Sequence, residues 1–123
     1  MAKLFFPLPD HTPAEFVSDV ACKIEDGEVT TWKTAAKPEV LKRQLPIRYP
    51  NKTRHTGFVK LTVAAKPKGH LQATTILSKE LDAQLANDPD PIHSRRRAHA
   101  MIASEFVQLL LTHYPRLKPI VVP

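Results

Sequence analysis

GFVKLTVAAKPKGHLQATTIL, residues 57–77, decides how this chain folds. Its first nine residues alternate. Val59, Leu61 and Val63 point one way; Phe58, Lys60 and Thr62 point the other. A period of two is the mark of a strand with one buried face. Lys66-Pro67-Lys68-Gly69 then reads as a turn and His70–Leu77 as the returning strand. The stretch therefore predicts an antiparallel hairpin.

Upstream of the hairpin, Pro46 and Pro50 enforce an extended passage through Ile47, Arg48 and Tyr49. PEVLKRQL, residues 38–45, predicts one or two helical turns, and VTTWKT, residues 29–34, a strand rich in β-branched residues. Thr12-Pro13-Ala14-Glu15 opens a helix. Threonine caps it, proline suits the first helical position, and glutamate three residues on reaches back to the cap. Phe16, Val17, Val20, Ala21 and Ile24 share one face of that helix, over about 13–25, and Gly27 suits its end. Residues 3–8 read as an edge strand or as part of an extended arm, 1–10, because Pro7 lacks an amide donor.

Downstream, Ser78 caps a short helix carrying Leu81 and Leu85. Asp90 and Pro91 open a longer one, 91–113, with Ala98, Ile102, Phe106, Leu109 and Leu110 as an apolar stripe that Val107 and Leu111 widen. Apolar surface over more than half of its circumference predicts burial on more than one side, by the sheet and by a second subunit. KPIVVP, residues 118–123, returns as an edge strand. The chain of 123 residues is one domain's worth, so 1–123 is read as a single α+β domain. The expected form is a small, mainly antiparallel sheet of three to four strands against two main helices, the C-terminal one long and apolar.

At 42% hydrophobic and 24% charged, the composition excludes wholesale disorder, collagen and coiled coil. No apolar run approaches the roughly 20 residues of a bilayer span, so no membrane partner is expected. Pro7, Pro9 and Asp10 interrupt the only N-terminal apolar stretch, and Cys22 is the sole cysteine. Both features point to a cytoplasmic protein without disulfides.

Charge is distributed unevenly. Residues 1–28 carry a net −4, residues 29–79 a net +10, residues 80–94 a net −4 and residues 95–123 a net +4. Ten uncompensated charges in the middle need either the acidic flanks or an anionic partner. The first alternative packs the acidic segments beside the basic middle. The second makes the hairpin, its tip and the preceding loop a phosphate-binding face. Its residues would be Lys42, Arg43, Arg48, Lys52, Arg54, Lys60, Lys66 and Lys68. Arg95 and Arg96, at the start of the last helix, extend the set and would hold an anion with the free helical amides. Trp32 and Tyr49 are aromatics near basic residues, suited to stacking on bases.

Catalytic apparatus is missing from the sequence. There is no glycine-rich phosphate loop, no CxxC, no HExxH and no histidine pair at i,i+4. Catalytic residues, metal ligands and cofactors are therefore not expected. Two functions remain. One is a small basic protein that binds DNA or RNA through its phosphates. The other is a protein-interaction module or small adaptor without enzymatic activity, a homodimer through the C-terminal helix or the N-terminal arm.

Overall fold

The structure, a computed structural model, describes residues 3–8, 12–48, 54–63, 70–116 and 120–122. Its elements run β1 (Lys3–Pro7), α1 (Pro13–Glu25), β2 (Lys33–Thr34), β3 (Val40–Arg48), β4 (Arg54–Val63), β5 (His70–Leu77), α2 (Lys79–Leu85), α3 (Pro91–His113) and β6 (Ile120–Val122). The strands form one sheet in the order β2-β3-β4-β5-β1-β6, and every neighbouring pair is antiparallel. This is the expected α+β fold, with more strands than the three to four expected. Six strands pair, although β2 is only two residues long.

The hairpin of β4 and β5 is the centre of the sheet, with Val59 opposite Thr75 and Leu61 opposite Ala73. All four of these side chains are buried, and they point to the side on which the helices lie. The N-terminal residues take the strand alternative, though inside the sheet and not at its edge. Lys3–Pro7 is an interior strand, paired with β5 on one side and with β6 on the other. Pro7 is the last residue of β1, and among the described residues β6 pairs only with Lys3, Leu4 and Phe5, so a missing amide donor costs little there.

Residues 40–48 correct the helical-turn reading. VLKRQLPIR is strand β3, paired with β4 from Val40 opposite Lys60 to Arg48 opposite Arg54. Local helix propensity loses to a ladder of non-local hydrogen bonds that also buries Leu41. The register shifts between Gln44 and Arg48, the span that holds Pro46. A bulge is where a strand accommodates a residue without an amide donor. Of the strand expected over 29–34 only Lys33–Thr34 pairs. The rest is irregular chain that still buries Val29 and Trp32.

The helices begin where the sequence caps them. Thr12 Oγ1 accepts from the Glu15 amide at 3.2 Å and donates to Glu15 Oε1 at 2.9 Å. Ser78 Oγ accepts from the Leu81 amide, and Asp90 Oδ1 from the His93 amide, each at 3.2 Å. Gly27, at φ 80°, ends α1 in the left-handed region, with the Glu28 amide reaching back to the Lys23 carbonyl at 2.9 Å.

Between helices and sheet lies one aromatic cluster. The Phe6 and Phe16 rings meet edge to face at 5.3 Å, Trp32 meets Phe106 edge to face at 5.8 Å, and Phe16 lies 4.8 Å from Tyr114. The Tyr114 hydroxyl donates to Asp19 Oδ2 at 2.6 Å, tying the end of α3 to α1. Burial and that hydrogen bond push the tyrosine pKa well above its ordinary value. The predicted stripe of α3 is buried in this same core, with Ala103 added and Val107 packed against it. Leu111 stays 58% exposed. The width of the stripe is thus accounted for largely within the chain, and so is β1. No helix among the described residues is long and apolar enough to cross a membrane.

His99 anchors α3 over β5 through its Nδ1, 2.7 Å from Thr75 Oγ1. Burial is the main cause that lowers its pKa below the ordinary histidine value; Asp82 opposes the shift. The unfolded chain therefore takes up a proton at this site before the folded chain does. Stability from this site is complete above the ordinary value of about 6.5 and is lost as pH falls below it. The urea midpoint, followed by Trp32 emission, should fall between about pH 7.5 and about pH 5.5, and His99→Gln should flatten part of that fall.

Candidate nucleic-acid interface

Alternation along the strands gives the sheet a second face. Leu4, Phe6, Leu41, Val59, Leu61, Leu71, Ala73 and Thr75 are buried beneath the helices. The residues between them point the opposite way, and none of those with a described side chain is buried. The helices cover one side only.

Antiparallel register places the outward residues in rows. One row runs Lys33, Lys42, Phe58, Ile76 across β2, β3, β4 and β5. The next runs Val40, Lys60, Thr74, Lys3 across β3, β4, β5 and β1. A third runs Thr62, Gln72, Phe5. Lys3, Lys33, Lys42 and Lys60 are all exposed. Among the described residues this face holds no carboxylate, and no carboxylate lies within ion-pair distance of these four lysines. Lys33 and Lys42 stand directly opposite each other, an arrangement that is unfavourable for like charges in a sheet.

At the β2 end the face dips into a polar cavity of about 470 Å³, lined by Thr30, Thr31, Lys33, Lys42, Gln44 and Thr56, with Arg43 contributing from beside them. Hydroxyls, an amide and cations without a carboxylate make a donor-rich cradle for an anionic group.

The basic residues picked out by sequence divide between the two sides. Lys42 and Lys60 lie on the open face. Arg43 belongs to the helical side, where its Nη2 pairs with Glu105 Oε2 of α3 at 2.9 Å and both side chains are mostly buried. Arg95 is also on the helical side, with its Nε 3.0 Å from Asp82 Oδ1 of α2. Arg96 is exposed on α3, away from the open face. Arg48 and Arg54 are register partners in β3 and β4. Lys52, Lys66 and Lys68 lie outside the described residues, as does Tyr49. Trp32, read as a stacking residue, is 1% exposed and belongs to the core.

Three contributors to this face escaped sequence reasoning: Lys3, Lys33 and Phe5. Lys3 and Phe5 reach it through pairing with β5, distant in sequence, and Lys33 through the short strand β2 that pairs with β3; only the alternation of Leu4 and Phe6 with Lys3 and Phe5 hints at the first two. Several acidic residues of the flanks are engaged elsewhere. Asp19 and Glu28 meet Lys23 at 3.5 Å and 3.8 Å, and Asp90 caps α3. Among the described residues no group of three histidine, cysteine, aspartate or glutamate side chains is placed to hold a metal ion. Comparison of the chain with family models, with curated proteins and with solved structures finds no match.

The Arg43–Glu105 pair serves the fold, and its removal should act on stability. A double-mutant cycle of Arg43→Met and Glu105→Leu, measured by urea unfolding, should give a coupling of about 1–2 kcal/mol, as for contacting charges in a shared network.

Proposed function

We propose that this protein binds nucleic acid through the open face of its sheet, with Lys3, Lys33, Lys42 and Lys60 meeting phosphates. The observation that carries this reading is a face left uncovered by the helices that bears lysines and, among the described residues, no carboxylate. A face of one sign attracts a polyanion and releases its condensed counterions on contact. The cradle beside Lys33 and Lys42 offers one phosphate several donors at once. The contacts are to the backbone of the nucleic acid, so they fix position and supply affinity more than sequence choice. DNA and RNA both satisfy this chemistry. The reading assigns no catalytic step.

It differs from the sequence expectation in its residues. Arg43 and Arg95 are left out because Glu105 and Asp82 hold them, and Lys3 and Lys33 come in. A second reading, a protein-interaction module, draws on an apolar groove beside α1, lined in part by Val17, Ala21, Cys22 and Leu71, with Val63 exposed at its rim.

Anisotropy titrations at about 50 mM and about 200 mM salt test the first reading. Affinity should fall steeply between the two, and replacing both Lys42 and Lys60 by glutamine should lower the salt slope by about two. No binding at the lower salt, or binding that ignores the two replacements, sinks it.

A further inference from the structure

Resting on that reading of the open face, we propose that the ligand is a single strand, one of whose unpaired bases stacks on Phe58. Among the described residues two aromatic side chains stand on this face. Phe58 stands on the central strand β4, with Lys42 directly across on β3 and Ile76 directly across on β5. Phe5 lies on β1, opposite Gln72. Strand spacing and rise put their Cα atoms about 17 Å apart. Between them along the diagonal lie Lys60, Thr74 and Gln72. Gln72 Nε2 donates to Thr74 Oγ1 at 3.0 Å, which leaves the amide oxygen and a second N–H for the edge of a base. The face is thus ring, cation and amide, ring.

Shape separates the two classes of nucleic acid. Reading a duplex takes an element that enters a groove, usually a helix or a two-stranded ribbon. The three described helices all lie on the other side of the sheet, and the open face presents short threonines between its lysines. Such a plane meets a duplex at its outer phosphates only. A single strand lays its bases flat on the same plane, where every base has a ring face to offer an aromatic side chain. The phosphates then follow the lysines towards the Lys33–Lys42 cradle, where a bound anion relieves the repulsion of that pair.

A purely structural role for Phe58 is a cross-strand pair with Ile76, which any large apolar side chain supplies. Stacking needs the ring itself. The full-length chain is therefore titrated with labelled RNA and DNA strands of about ten nucleotides, and with the matching duplexes, at one low salt concentration. Phe58→Leu keeps the apolar contact and removes the ring. Phe58→Tyr keeps both. Trp32 emission confirms that each variant retains its core.

The expected result is single strands bound about tenfold or more tightly than duplex. Phe58→Leu should weaken single-strand binding by about tenfold and leave duplex binding unchanged, and Phe58→Tyr should restore it. Either sugar bound in this pattern supports the proposal. Duplex bound as tightly as single strand, or Phe58→Leu without selective effect, overturns it and leaves a phosphate-binding face intact. Absence of binding to both overturns the reading beneath it as well.

Discussion

Everything distinctive about this molecule follows from covering a six-stranded sheet on one side. A strand shows alternate side chains to opposite faces, so a single layer of helices can satisfy only half of them. Leu41, Val59, Leu71 and Ala73 meet that layer and disappear from solvent. Their neighbours Lys42, Phe58, Lys60 and Gln72 are then obliged to face outwards. Parallel sheets avoid this by covering both faces; an antiparallel sheet such as this one tolerates a wet side. The wet side here holds cations and two phenylalanines in place of the mixed charges that solubility alone requires.

The bland explanation of such lysines is protection of a sheet edge. Charged side chains on edge strands discourage pairing with another chain, and Lys33 on the short strand β2 fits that use. Lys60 does not, because β4 has β3 on one side and β5 on the other. Nor does edge protection account for setting Lys42 directly opposite Lys33, which adds repulsion where a glutamate would add attraction. Three carboxylates are meanwhile engaged on the helical side: Glu105 with Arg43, Asp82 with Arg95, Asp19 with Lys23 and Tyr114. Charge is sorted by side of the sheet, and the sorting leaves the open face positive.

What was legible in the sequence is what short-range physics determines. The β4–β5 hairpin, α1 and α3 announce themselves through alternation, caps and helical stripes that occupy one contiguous stretch each. For β1, Pro7 argues locally for an edge strand or an arm, and for β3 the stretch 38–45 reads as helical turns, whereas both strands lie inside the sheet. β1 takes its place from β5 partners more than 60 residues away, and β3 from β4 partners across the intervening loop, pairings that residue type within either stretch does not reveal. The site suffered from the same blindness. Residue type picked out a basic middle, but face depends on register. A shift of one residue exchanges the open side for the core. Adjacent Lys42 and Arg43 therefore have opposite fates, one exposed and the other paired to Glu105.

The division of basic residues also limits how many can serve one ligand. Arg95 and Arg96 lie on α3, which His99 seats over Thr75 on the covered side, so the whole sheet separates them from Lys42 and Lys60. Arg95 is already offset by Asp82. No flat ligand reaches both sets, and the anion site imagined at the start of α3 adds nothing to the affinity of the open face. Among the described residues the open face offers four lysines to the proposed ligand, and electrostatics from so few contacts would be modest at physiological salt. Affinity at such salt requires a second, salt-insensitive contribution. The aromatic rings among the lysines supply a surface for it, since stacking on a base persists when counterions screen the phosphates.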